Sequence, residues 1–195
     1  GLIADSRTRD SGNTMLHKVF PNGHLSIVGA NSAAGLASRP IRIVLMDEVD
    51  RYPLSAGAEG DPVQLATRRS ATFWNRKIIM VSTPTNKDES RIEQAFLESD
   101  QRKYHVPCRD CGEYQVLDWK NVQWQKDQPE TAGYVCEHCG SFWDDAARYN
   151  AVKRGKWKAS APFTGTIGFH LSGLYSPWTP LAQAAQEFLQ SKADP

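Results

Sequence analysis

The chain has no long apolar run. Nothing in it approaches the roughly 20 consecutive apolar residues that a membrane-spanning helix needs, so no membrane role is expected. It has almost no net charge, +1 over 195 residues. Bulk charge thus argues neither for nor against nucleic acid, and any contact with DNA has to be a local patch. The first residues, GLIADSRTRD, include neither an initiator Met nor the apolar core of a signal peptide. The last, SKADP, follow directly on a helical pattern, so the expectation is an internal piece of a longer protein. No G-x-x-x-x-G-K-[ST] loop is present. The Gly155-Lys156 pair is followed by Trp157 and lies outside the region of alternating strands and helices. Without such a loop, the chain has no obvious means of cradling phosphates. Cysteine is scarce too, and all four fall between positions 108 and 139. The length suffices for one domain with a real core plus a small module.

What is there begins with residues 41–50, IRIVLMDEVD. A run of apolar side chains without alternation suits a parallel strand covered on both faces. It ends in adjacent carboxylates, and ligands of open α/β sheets bind at strand ends. Two acids there resemble a Walker B box. Asp47 would hold the Mg²⁺ of a nucleotide, and Glu48 would orient and deprotonate the attacking water. The plain alternative is a strand followed by a solvated acidic turn. A second apolar strand, residues 77–82, runs into Ser82-Thr83-Pro84-Thr85. Hydroxyls at a strand end beside an acidic strand end can sense a γ-phosphate and transmit its loss. A simple Ser/Thr turn with proline is the alternative.

Around these motifs the pattern reads strand, helix, strand, helix, which predicts βαβ units and a largely parallel sheet. Residues 24–31 and 41–46 are expected as strands of that sheet beside 77–82, with 32–40 a flexible connection. Asp61-Pro62 is a good helix start, and the helix should run to about Trp74, burying Val63, Ala66 and Phe73. Ser90-Arg91-Ile92-Glu93 has the form of a capping box, opening a helix with Ile92, Ala95 and Phe96 on one face. After about residue 103 the texture changes to short strands with frequent aromatics. The expected division is 1–103, 104–146 and 147–195. Thr179-Pro180 opens a last helix, with Leu181, Ala185, Phe188 and Leu189 as its apolar face.

Cys108-Arg-Asp-Cys111-Gly and Cys136-Glu-His-Cys139-Gly are two C-x-x-C-G knuckles with 24 residues between them. The Gly after each second Cys permits a positive φ, letting backbone N–H groups point at sulfur. Four thiolates make a closed tetrahedral Zn²⁺ site of the structural kind. Two disulfides or four unrelated thiols are the alternatives, and the lack of a secretion signal disfavours stable disulfides. His105 and His138 flank the knuckles and are expected to be non-ligands, because four Cys complete the shell; His138 as a ligand is the lesser alternative.

Taken together, FPNGHLSIVGANSAAGLASRPIRIVLMDEVDRYP (20–53), VSTPT (81–85), the paired knuckles and GFHLSGLYSPW (168–178) resemble the large terminase subunit of tailed bacteriophages, the lambda-like GpA family. The resemblance covers essentially the whole chain in consistent order. It implies part of a P-loop NTPase (RecA/ASCE-like) sheet, a β-rich zinc ribbon and a connector towards a nuclease domain. It also implies a motor that uses ATP to move double-stranded viral DNA into a procapsid, working with a small terminase subunit and a portal. Such a motor acts as a homo-oligomer in the host cytoplasm or in the virion-assembly complex. Asp47 and Glu48 match the Walker B pair, and Ser82, Thr83, Pro84 and Thr85 match the coupling motif. The phosphate loop would lie upstream and the nuclease acids downstream, so the chain by itself should be inactive.

Arg39, Arg42, Arg51, Arg68 and Arg69 are candidates for an arginine finger, or else solvated arginines. Lys153, Arg154, Lys156 and Lys158, interleaved with Trp157, could touch DNA phosphates or merely guard a strand edge. Two other readings stand beside the motor. One is a helicase-like ATPase, since DEVD resembles a DExD box, although nothing in 104–195 reads as a second doubly wound sheet. The other is a non-enzymatic zinc-ribbon module that binds DNA or protein.

Overall fold

The computed structural model describes residues 13–193. The chain divides into two compact units, Gly1–Glu93 and Gln94–Pro195, each with its own buried cluster.

The first unit opens with a hairpin. β1 (His17–Phe20) and β2 (Gly23–Ser26) pair antiparallel, with His17 opposite Ser26 and Phe20 opposite Gly23. Pro21 presets the first turn position, and Asn22 adopts a left-handed φ of 66°, which Asn tolerates well. This corrects the expectation for residues 24–31. They are not a strand of the parallel sheet, because the Pro-Asn turn folds their first half back on its own neighbour. The supposed flexible connection also carries a short helix, α1 (Ala33–Ala37), capped by the Ser32 hydroxyl, which accepts from Gly35 N.

β3 (Ile43–Asp47) and β4 (Lys77–Val81) form a parallel pair in which Ile43 faces Lys77 and Asp47 faces Val81. Between them runs α2 (Pro62–Arg68), as a parallel crossover requires. Asp61 caps α2 by accepting from Val63 N. The helix stops at Arg68 instead of reaching Trp74. Arg69 N already bonds Ala66 O and the Ser70 hydroxyl bonds Thr67 O, so the last turn tightens and a side chain competes with the helix ladder. One face of the pair, with Val44, Met46, Ile78 and Met80, packs with Val49, Ala66, Leu36 and Ile92. The other face is open, with Leu45 66% and Val81 56% exposed. The unbroken apolar run predicted cover on both faces, and among the described residues only one face has it.

The division between units falls inside α3 (Arg91–Leu97), earlier than the change in sequence texture near 103. The second unit is built around β5 (Arg102–Pro107) and β6 (Tyr114–Val116), an antiparallel hairpin. A three-stranded antiparallel sheet follows: β7 (Val122–Gln125), β8 (Gln128–Val135) and β9 (Phe142–Trp143). Next come α4 (Asp145–Val152), β10 (Lys156–Lys158), β11 (Phe169–His170) and α5 (Leu181–Ala193). β10 pairs antiparallel and β11 parallel with β5. Residues 104–146 and 147–195 therefore share one core. Val106, Leu117, Tyr134 and Trp143 are buried with Ala151, Leu174, Tyr175 and Leu181.

The Leu-Tyr-Ser-Pro-Trp segment has a structural task in this core. The Arg148 guanidinium is fully buried. It donates to the carbonyls of Leu174, Ser176 and Thr179, and it pairs with Asp145 at 2.7 Å. The Tyr175 hydroxyl donates to Tyr104 O at 2.6 Å and accepts from Leu117 N at 2.8 Å. Burial pushes that phenol up to about 12, although the Leu117 N–H favours its ionised form. One cation satisfied at every donor and one doubly bonded hydroxyl thus hold the 172–179 loop in place. α5 packs on β8, and Phe188 meets Trp119 at 5.1 Å and Trp124 at 6.2 Å between ring centres.

Candidate functional site

The parallel pair places the acidic strand end and the hydroxyl-rich strand end side by side. Asp47 is the last residue of β3 and lies opposite Val81, so Ser82 begins where the strand pair ends. Asp47 and Glu48 are exposed. Glu48 has a left-handed φ of 55°, an arrangement that costs a non-glycine residue roughly 1–2 kcal/mol. It turns the chain sharply off the strand into a single 3₁₀ turn, Val49–Arg51, whose Val49 is fully buried. Strain of this kind persists only where surrounding contacts over-determine it.

Those contacts come mostly from Asp50, which the sequence reading passed over. Its backbone N–H donates to the Ser82 hydroxyl at 3.2 Å. One carboxylate oxygen accepts from Ile92 N at 2.8 Å. The other accepts from Thr85 N at 3.0 Å and from the Thr85 hydroxyl at 3.3 Å. Desolvation opposes ionisation of Asp50, but donors from Ser90, Ile92 and Thr85 outweigh it and hold its carboxyl below the ordinary value. A single residue thus ties these parts together, its backbone N–H to the start of the Ser-Thr-Pro-Thr loop and its carboxylate to the end of that loop and to the start of α3. Ser90 caps α3, accepting from Glu93 N at 3.1 Å. Arg91 holds the same turn from outside, donating to Pro53 O at 3.0 Å and pairing with Asp61 at 3.3 Å. No local pattern reveals Asp50, because its partners stand 32 to 42 residues away.

Asp50→Ala should therefore destabilise the first unit by about 1–2 kcal/mol, since the donors of Ile92 and Thr85 lose a charged acceptor. Because the folded carboxyl titrates below its unfolded value, its contribution is present above about pH 4 and is lost as pH falls through the folded pKa. Urea unfolding at pH 7 and at pH 3 checks both points. Equal midpoints for Asp50→Ala and the parent at pH 7 would remove Asp50 from this role.

The remaining predicted residues are placed as follows. Thr83 is exposed, and its carbonyl accepts from the Ser82 hydroxyl at 3.2 Å. Arg51 pairs with Glu48 at 3.3 Å, both side chains being largely in solvent. Arg39, Arg42 and Arg68 are exposed, while the Arg69 Nε is buried without a partner among the described residues.

The cysteines lie in the second unit at two matching turns. Cys108–Cys111 sits between β5 and β6, and Cys136–Cys139 between β8 and β9. Each turn closes in the same way: Gly112 N bonds Cys108 O at 3.1 Å, and Gly140 N bonds Cys136 O at 3.0 Å. Both glycines have the anticipated positive φ, 77° and 72°. All four sulfurs lie within 4.8 Å of one another. Two cross-pairs, Cys108 to Cys139 and Cys111 to Cys136, measure 3.7 and 3.9 Å. Sulfurs about 2.3 Å from a central tetrahedral zinc stand about 3.8 Å apart, so the set is already near the right size.

Around the sulfurs, Asp110 N donates to Cys108 Sγ and Gln115 Nε2 donates to Cys136 Sγ, both at 3.3 Å. Burial opposes the Cys108 thiolate, but the N–H groups of Cys111 and Asp110 and the Ser141 hydroxyl bring that thiol down to about 6. Cys111 moves the other way, to about 12. Its Glu113 N–H favours the anion, yet desolvation and the three neighbouring sulfurs prevail. Four thiols this close cannot all ionise without a cation between them. His105 and His138 stand outside the cluster. Gln115, fully buried, is a supporting residue that the sequence reading missed; it also accepts from Glu137 N at 3.0 Å.

The chain is 29% identical to a large terminase subunit of Enterobacteria phage P21 over 94% of its length, and 28% identical to that of Escherichia phage lambda over 93%. In both cases the match covers 32% of the relative, so the chain spans about a third of the length of these proteins. No solved structure matches. The family model described as "Phage terminase large subunit gpA, ATPase domain" matches residues 1–157. The chain belongs to that terminase family.

Proposed function

We propose that this chain supplies the hydrolytic and coupling half of an ATP-driven DNA-packaging motor. The observation that carries the proposal is the joined pair of strand ends, Asp47-Glu48 on β3 and Ser82–Thr85 after β4, linked through Asp50. Residues 1–103 are then the C-terminal part of the ATPase domain, 104–146 a zinc ribbon and 147–195 a connector towards a nuclease domain. The open face of β3 and β4 is what a further layer of the same domain would cover. The motor would handle double-stranded viral DNA with a small terminase subunit and a portal, as a homo-oligomer in the host cytoplasm. No described helix is long and apolar enough to cross a membrane.

The oxygen donors present suit Mg²⁺, a hard cation. Asp47 would hold it through its carboxylate, near the Ser82 hydroxyl. Bound with nucleotide, Mg²⁺ neutralises charge on the phosphates. Glu48 would accept the proton of the attacking water, and its Arg51 pair is too exposed to bind it firmly. Ser82 and Thr85 would report on the γ-phosphate. Asp50 would pass their displacement to α3, whose first turn hangs on the same carboxylate. Zn²⁺ would sit among Cys108, Cys111, Cys136 and Cys139 as a structural ion.

The sequence has no G-x-x-x-x-G-K-[ST] loop of the kind that cradles β- and γ-phosphates. The 195-residue chain alone should therefore show no ATP hydrolysis, whereas a terminase polypeptide that joins it to a phosphate loop should hydrolyse ATP. Steady-state phosphate release from the two proteins tests this. Hydrolysis by the short chain that survives Glu48→Gln would contradict the assignment.

A further inference from the structure

We propose that one face of the β10–β5–β11 sheet in the second unit is a docking surface for the phosphate backbone of duplex DNA. Residues directly opposite across neighbouring strands share a sheet face, and alternate residues along a strand share it too. Lys156 is opposite His105, Lys158 is opposite Lys103, and Lys103 is opposite His170 on its other side. Lys103, Lys156, Lys158, His105 and His170 therefore lie on one face. A row of basic residues, Lys158–Lys103–His170, crosses three strands and spans about 10 Å. The opposite face carries Arg102, which is held by Asp100 at 2.8 Å, with Tyr104, Trp157 and Phe169. Charge is thus sorted by face, although the whole chain carries only +1.

The five basic groups make no ion pair among the described residues. Two carboxylates border the patch: Asp118, paired with Lys120 at 3.4 Å and also attracted by Lys103, and Glu187, which accepts from Gln183 at 2.8 Å. A guard against edge pairing would need one lysine on an edge strand. It would not need lysine on central β5 in line with both neighbours.

The occupant follows from the aromatic geometry. β6 adds Tyr114 to this face, opposite Pro107. Lys156 and Lys158 both lie over its ring, at 5.3 and 5.1 Å. Single-stranded nucleic acid is held by open aromatic platforms on which bases stack, and here the ring is capped by ammonium groups. What remains is a bank of cations, which suits phosphates. A nucleic-acid duplex offers these in a dense, regular array, about one charge per 1.7 Å of axis in DNA. The proposal deepens the packaging reading, on which the choice of DNA over RNA rests.

The test is fluorescence anisotropy of a labelled random-sequence duplex titrated with the full chain, loaded with zinc, across a salt series and without nucleotide. Neutralising Lys103, Lys156 and Lys158 together to Gln should lower the slope of log K against log salt by about 3. The Arg triple variant should restore the slope. Gln at Lys87 and Lys126, exposed lysines elsewhere, should leave it unchanged. These side chains are solvent-exposed, and thermal unfolding of each variant verifies the fold. An unchanged slope in the Gln triple variant overturns the proposal. So does tighter binding of single-stranded DNA or of an RNA duplex at equal phosphate concentration, or no duplex binding at low salt. Because no ATP is present, this result and the hydrolysis result can fail separately.

Discussion

Chelating the zinc proposed for the four-cysteine cluster should unfold the second unit and leave the β3–β4 pair standing. Structural zinc in small modules contributes roughly 10–16 kcal/mol of apparent binding free energy, while an entire domain is usually stable by about 5–15 kcal/mol. Here the two knuckles close the β5–β6 hairpin and join β8 to β9, so the ion would join both sheets of the unit. Without it, ionised Cys108 faces three sulfurs that repel a second thiolate. Cys111→Ser should act like a chelator, because three thiolates and a hydroxyl hold zinc poorly. Tryptophan fluorescence reads the outcome. Trp143 is fully buried, and Trp119 and Trp124 pack on Phe188, so their emission should shift to the red on chelation and recover when zinc is returned. Native protein that contains no zinc by elemental analysis, or whose four thiols titrate freely, would contradict this prediction.

How far the chain could be read without coordinates differs between its two halves. The knuckles were legible because their chemistry is local: C-x-x-C-G fixes a turn, and two such turns leave few arrangements of four sulfurs. Their hydrogen-bonding support was not legible, since Gln115 reaches Cys136 from 21 residues away. In the first unit, the strands at 43–47 and 77–81 and the helix start at Asp61-Pro62 followed from apolar runs and cap chemistry. Residues 24–31 were misplaced because an apolar run does not announce its partner. The Pro21-Asn22 turn, read first, would have signalled the hairpin. The extent of α2 was overestimated because Ser70 stops it with a side-chain bond that the apolar pattern does not register. The Asp47-Glu48 and Ser82–Thr85 motifs were recognisable by type. That Asp50 joins them could be seen only in three dimensions.

Glu48→Gln, in a terminase polypeptide that supplies the phosphate loop, should reduce ATP turnover by about 10²–10⁴-fold, the usual loss when a general base is removed. The amide keeps the size and neutral contacts of the side chain and the left-handed backbone at position 48. It cannot accept a proton from water. Nucleotide binding should survive, because Asp47, the proposed Mg²⁺ ligand, remains and the Asp50 network is untouched. Asp47→Ala should have the complementary effect and weaken Mg²⁺-dependent nucleotide binding itself.

The most direct measurement is therefore a nucleotide-binding titration and a steady-state ATPase assay on the same Glu48→Gln preparation. The account predicts near-parental Mg²⁺–ATP affinity with turnover lowered at least 100-fold. Near-normal turnover would contradict it, and would remove the Asp47-Glu48 strand end from the chemistry of the motor.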